Sequence, residues 1–268
     1  MLHLLKIEWL KVKNYRTFWI IFILFLISII GVNYVAHEMV QNFFDDRIKK
    51  KPGDLVIKML IGTPPYSFPQ VWQMVSQVAS YLFIIPGLLT IILCTNEYSY
   101  KTHRQNIIDG LTRKQFVTSK ILMVLVISVI TTLVISLTAL IFGYTSGTTF
   151  TTDNIHYLGI AFLESLNYCL FGVMIAVLFR RSGISIGVYF LYVVVFDNFL
   201  FWVLYRYGGR SGFFLPVDSA DNLMVMPVFG ELQKQIERPA FEYILAACIS
   251  WILIYVFVSY QRFAKADL

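Results

Sequence analysis

The 268-residue chain is 57% hydrophobic and only 14% charged, with a mean hydropathy of +0.68, against about 25% charged residues in an ordinary soluble domain, so it reads as an integral membrane protein. In so apolar a chain the net charge of +6 is expected to set topology and touch anionic lipid rather than bind nucleic acid. Cys94, Cys169 and Cys248 fall in or at the end of apolar runs without CxxC spacing, the four histidines are scattered with no HExxH, and no GxxxxGK[ST] occurs. A disulfide framework, a zinc site, a metalloprotease and a phosphate-cradling loop are therefore set aside.

The chain begins with LLKIEWLKVKNYR, which places Leu5, Trp9 and Val12 on one helical face and Lys6, Lys11 and Lys13 mostly elsewhere. It reads either as an amphipathic helix lying in the inner interface or as a cytoplasmic extension of the first span. A spanning helix needs about 20 mostly apolar residues. Six stretches qualify, at roughly 17–37, 71–95, 120–144, 155–179, 184–205 and 239–260, and the first lacks a signal-peptide cleavage pattern. The expected fold is a single all-α membrane domain over 1–268 with six transmembrane helices.

An even number of spans puts both termini on one side. With the N-terminus inside, segments 1–16, 96–120, 180–183 and 261–268 hold 13 of the 22 Lys and Arg, and the longer outer segments hold nine. Basic residues favour the inner side, so N-in, C-in is predicted, with the Arg47, Lys49, Lys50, Lys51 cluster as a counter-signal that Asp45, Asp46 and Asp54 partly offset.

Segment 38–70 ends in GTPPYSFPQ, whose prolines 64, 65 and 69 forbid regular helix before the second span. The inner segment 96–120, NEYSYKTHRQNIIDGLTRKQFVTSK, is the most polar stretch of the chain. Thr102 to Ile108 has a short helical pattern, Asp109-Gly110 is a break, and Thr112 is placed to cap a helix running into the third span. Ordered apolar positions at Ile107, Ile108, Leu111 and Phe116 are more than a solvated basic loop requires.

Two carboxylates, Glu164 and Asp197, lie within spans four and five at similar depth, near Asn167, Tyr168 and Asn198. Intramembrane acids face protein or water, so the pair is expected to meet one another or a common cavity, either locking helices or handling substrate or ions. Glu164, Asn167, Asp197 and Asn198 are the candidate pathway residues. Segment 206–239 contains LMVMPVF at 223–229, too apolar for an exposed loop and too short to cross, and is read as a re-entrant or interfacial outer segment before the sixth span; Tyr205, Tyr207, Phe213 and Phe214 supply interfacial aromatics.

The pattern Glu97, Tyr98, Thr102, Arg104, then Gly110, Arg113, Phe116 and Lys120, resembles the signature between the second and third spans of ABC-2 type transporter permeases. It is similar in particular to the six-span permeases of the bacitracin-resistance and lantibiotic-immunity kind. The resemblance implies a membrane subunit, working as a dimer with a second permease copy or a paralogue, in a bacterial plasma (inner) membrane. It would be driven by a separate ATP-binding subunit and export a small amphipathic, peptide or lipid substrate. It implies no catalysis and no bound cofactor in this chain, ATP and Mg belonging to the partner. A coupling helix in the inner loop would touch that partner through Thr102, Arg104, Asn106, Ile107, Ile108, Asp109 and Gly110, with Glu97, Arg113 and Lys120 as buttress. A self-contained ion-coupled transporter and an intramembrane enzyme using Glu164 and Asp197 are the other readings, though the chain shows no inverted repeat and no nucleophile or metal ligand beside these acids.

Overall fold

The computed structural model describes residues 2–48, 65–225 and 238–265. Lys49, Lys50, Lys51, Asp54, Pro64 and the 226–229 part of LMVMPVF lie outside the described residues. Every described element is helical, as the hydropathy requires, since a spanning backbone must satisfy its own hydrogen bonds.

The first helix, α1 (Leu2–Lys13), is separated by Asn14-Tyr15 from α2 (Arg16–Ile48), so it is not an extension of the first span. Its buried face is Leu4, Glu8 and Val12, while Trp9 is 51% exposed; the Leu5-Trp9-Val12 face predicted from composition is thus rotated, and a carboxylate occupies the middle of the face that packs on the bundle. The predicted first span, 17–37, falls inside the candidate span Arg16–Gln41, and the helix continues past it. Helix α2 runs 33 residues, about 50 Å at 1.5 Å per residue, well beyond the apolar run that defines the span.

The second span is broken where a single helix was expected. Helices α3 (Val71–Ser80) and α4 (Ile84–Ser99) meet at a 47° bend. Pro86 has no N–H to give to the carbonyl of Leu82, and the junction closes instead with tighter bonds from Leu82, Phe83 and Ile85 to residues three back. A short helix α5 (Thr102–Ile108) follows, then α6 (Arg113–Thr145) and α7 (His156–Phe179). Helix α8 (Ser182–Leu191) passes through a π-helical turn at Tyr192–Phe196 into α9 (Asp197–Gly208). The chain then makes a 3₁₀ turn (Gly209–Phe214), a one-turn helix α10 (Asp218–Asp221) and the last span α11 (Phe241–Ala264). Among the described residues, by length and composition, five helices, or six with the bent pair as one span, are able to cross a membrane.

Span four, α7, is the centre of the bundle, packed by α3, α4, α6 and α11. Its approach to α4 is set by two glycines. A Cβ on Gly172 would sit 2.7 Å from the carbonyl oxygen of Gly87, and one on Gly87 would run into the Tyr189 hydroxyl; only small residues let helices touch backbone to backbone here. Thr90 Oγ1 donates across the same contact to the Cys169 carbonyl at 3.1 Å. Cys94, Cys169 and Cys248 are all free and buried.

Candidate functional site

Two polar constructions stand at opposite ends of this bundle. At the first, which we term the α5 end, the inner loop has the form its turn residues dictate. Gly110 takes φ +103°, a left-handed conformation that suits glycine. Thr112 then opens α6 with a capping box: its hydroxyl accepts from the Gln115 N–H at 3.2 Å, and the Gln115 side chain accepts from the Thr112 N–H at 2.9 Å. Helix α5 buries no residue completely. Ile107 packs against the core, whereas Ile108 is 78% exposed, so the two isoleucines present different faces. Arg104, Gln105, Ile108, Asp109 and Gly110 share the exposed surface.

Behind that surface lies a buried ionic knot. Lys120, in the second turn of α6, is 4% exposed and pairs with Glu8 at 2.6 Å and with Glu97 at the end of α4. Lys11 completes the ring, 3.0 Å from Glu8 and 3.1 Å from Glu97. Ser119 Oγ donates to Glu8 at 3.0 Å, and Asn106 of α5 reaches Glu97 at 3.4 Å. Burial would raise the Glu8 carboxyl, but Lys120 and then Lys11 overcome it and hold it down at about 2. Glu97 also fixes α5 through its main chain, its carbonyl lying 2.9 Å from His103 Nδ1 and accepting from Thr102 Oγ1 at 3.4 Å. Arg113 donates to the carbonyl of Ala264, and Phe116 stacks on Phe263 at 4.4 Å, tying the start of α6 to the end of α11. The knot therefore joins α1, α4, α5 and α6.

Two open grooves of about 440 Å³ each flank the contact of α1 with the loop. One is lined by Glu8, Lys11, Tyr15, Asn96, Glu97 and Thr102, the other by His3, Leu4, Ile7, Asp109, Leu111 and Gln115, and Asn106 borders both. Glu8 and Lys11 were not among the expected site residues. The available signal was a lone carboxylate four residues from both Leu4 and Val12, on what is otherwise an apolar stripe.

The far end gathers four carboxyls and, among the described residues, no basic partner for them. Glu164 of α7 and Asp197 of α9 are 1% and 2% exposed, but they meet through two further carboxyls, Asp218 and Asp221, on the segment after α9. Asp197 Oδ2 accepts from the Asp218 N–H at 2.8 Å, and the Tyr168 hydroxyl lies 3.0 and 3.1 Å from the two oxygens of Asp221. The π-helical turn immediately before Asp197 offsets the helix register, and Asp197 is buried while Phe196 and Asn198 on either side face outward. Segment 209–225 folds back into the bundle: Trp251 Nε1 donates to the Phe214 carbonyl at 2.8 Å and the Tyr255 hydroxyl to that of Pro216 at 3.1 Å. Tyr255 lies 14 residues beyond Phe241, about 21 Å along the helix.

The four candidate pathway residues do not line one surface. Glu164, Asn167 and Asp197 are buried within the single chain, Asn167 donating to Cys248 Sγ at 3.8 Å, whereas Asn198 bonds its own helix carbonyls and is exposed. Asp218 and Asp221 were missed because they lie between spans, outside the apolar runs in which a carboxylate stands out. Among the described residues no group of three or more His, Cys, Asp or Glu is arranged to hold a metal ion.

A model of the ABC-2 family transporter proteins matches residues 4–196, from within α1 to the residue before Asp197. It therefore takes in Glu8, Glu97, α5 and Lys120. No curated protein is significantly similar to the chain. The match spans more than two thirds of the sequence and the whole of the α5 end, and it agrees with the multi-pass helical bundle, so the chain belongs to the ABC-2 transporter family, a permease component of ATP-binding-cassette transport whose usual place is the plasma membrane.

Proposed function

We propose that the chain is the permease half of an exporter, pairing with a second permease copy and driven by a separate ATP-binding subunit that docks on α5 and its two flanking grooves. ATP and Mg would be held by that subunit, and this chain would move in response. The observation that carries the reading is the contrast within α5 itself: its outer surface is free, while its root is tied through Glu97, Lys120 and Glu8 to three other helices. A surface fixed in this way transmits displacement to spans two and three, as a floppy loop would not. Ile108 supplies the exposed apolar anchor, with Arg104 and Asp109 giving orientation at the rim.

The translocation route in this reading runs between two copies, along exposed spans rather than through the interior of one. Span five is only 22% and span six 17% buried within the chain, which leaves broad faces for lipid and a second copy. Asn198 is on such a face, and Glu164, Asn167 and Asp197 stand behind it. Those apolar faces suit an amphipathic, peptide or lipid cargo. The test is Ile108→Asp, with Ile107→Asp beside it. Ile108→Asp is expected to leave the thermal unfolding midpoint unchanged and to abolish both transport and co-purification of the ATPase, whereas Ile107→Asp also weakens the fold. Transport that survives Ile108→Asp at wild-type rate sinks the docking assignment.

A further inference from the structure

The far-end acids differ from those of the α5 end in their surroundings. Among the described residues no Lys or Arg contributes to the field at Glu164, Asp197, Asp218 or Asp221. Three of their oxygens, Glu164 Oε2, Asp197 Oδ1 and Asp218 Oδ2, are shielded from solvent without a hydrogen-bond donor. Asp221 is faced by Glu164 and Tyr168 from α7, by Tyr189 from α8, by Asp197 from α9, and by Asp218 on its own turn. Tyr255 and Cys248 of α11, Tyr192 of the π turn and Ser80 of α3 stand around the same cluster. All of these are acids, phenols, a thiol or a hydroxyl.

Two carboxyls within reach of each other do not both ionise in a buried place. A proton removes the conflict, because a neutral carboxyl donates one O–H to the carboxyl beside it, and Glu164 and Asp221 are placed for that bond. The Tyr168 hydroxyl already donates to Asp221, and the Glu164 carboxyl is hydrogen-bonded to the Asp221 carboxyl as well, so one proton shared between Glu164 and Asp221 holds that pair together. Asp218, whose Oδ2 is orphaned and whose carboxyl feels the charges of Asp197 and Asp221, is the second group that a proton relieves.

We propose that Glu164, Asp221, Asp197 and Asp218 form a proton-binding site that fastens the returning segment 209–225 to spans four and five, and that loss of its protons to solvent loosens that segment. Burial, then the negative charges of Asp197 and Asp221, pushes the Asp218 carboxyl up to about 8; burial, opposed by the Tyr168 hydrogen bond, brings Asp221 to about 7. The site thus exchanges protons around neutral pH. The returning segment becomes a pH-responsive part of the permease at the end away from α5. This inference goes beyond the docking reading and does not depend on it.

The test uses the full-length chain in lipid nanodiscs, titrated from about pH 5 to about pH 9 while the infrared carbonyl band of protonated carboxyls is followed. A band that disappears with a midpoint between about 7 and about 8 is expected, together with increased amide hydrogen exchange in 209–225 on the alkaline side. Asp221→Asn and Glu164→Gln keep the shape and remove one titrating group each, and either is expected to abolish or displace that midpoint. If Asp221→Asn does not fold, Glu164→Gln and the wild-type titration decide the matter between them. No carboxyl band titrating in this range, or a midpoint unmoved in every variant that folds, overturns the site; so does exchange in 209–225 that is indifferent to pH.

Discussion

The α5 end and the far end solve the problem of buried charge in opposite ways. At the first, Glu8 and Glu97 face Lys11 and Lys120, so every charge has its counterpart within about a hydrogen-bond length. At the second, four carboxyls meet phenols, a hydroxyl and backbone amides, with no Lys or Arg among the described residues, and protons are proposed to balance them. Ion pairing makes a joint that holds over a wide pH range and fails abruptly when one member is removed. A cluster of acids makes a joint that depends on the solution around it. The rigid joint is beneath the surface where a motor subunit is proposed to push, and the adjustable one is where the chain turns back into the bundle.

The largest expected effect comes from breaking the rigid joint. Lys120→Met leaves Glu8 and Glu97 buried with only the half-exposed Lys11 to share, and should destabilise the permease by about 3–5 kcal/mol, read as a fall in the thermal unfolding midpoint. Adding Glu8→Gln to Lys120→Met should recover part of that loss, and strict additivity in the double-mutant cycle would show that the knot is not a unit.

Next comes the opposite pH dependence of the two ends. Glu8 is depressed from 4.5 to about 2, so its stabilisation is complete above about pH 4.5 and is lost as pH falls toward 2. Asp218 and Asp221 are raised from 3.8 to about 8 and about 7. Their contribution is complete below 3.8 and is lost as pH rises through 7 to 8. Unfolding midpoints measured across this range should therefore decline on both sides, and Asp218→Asn should remove much of the alkaline decline. At about pH 9 that variant is expected to be more stable than wild type by about 1–3 kcal/mol, the size of relieving one buried unpaired polar group, with little effect at about pH 5. A destabilised Asp218→Asn at pH 9 would mean the charged form is held by a partner.

The smaller effects refine the α5 end. Gly110→Ala puts a Cβ on a residue with φ +103° and should cost about 1 kcal/mol, chiefly by loosening the join between α5 and α6. Thr112→Ala removes the capping hydroxyl, at about 1 kcal/mol or less; amide exchange in the first turn of α6 should rise, and no change there would show that Gln115 caps alone.

What could be read from residues alone was local. The helix over Thr102 to Ile108, the turn at Gly110 and the cap at Thr112 are each specified within a few residues, and each forms in the structure. Glu97 and Lys120 were legible as flanking charges of a family pattern, but Glu8 was not, because counting apolar residues favours the face of Leu5 and Trp9 over the one that packs. The break in span two follows from Pro86, which sits in plain view of a run whose hydropathy hides it. Asp218 and Asp221 follow a glycine-rich stretch between two spans, where charge ordinarily means water.

The sequence by itself determined the membrane class, the order of five or six apolar spans and the bent loop between the second and third, since these follow from hydrophobic length and from turn and capping residues that act on their neighbours. Which charges share a site was decided only by tertiary structure. Glu8 and Lys120 are 112 residues apart, and Tyr168 and Asp221 are 53 apart. Electrostatic and hydrogen-bonding partners are set by distance in space, and that distance exists only once α1 has packed on α6 and segment 209–225 has folded back onto α7.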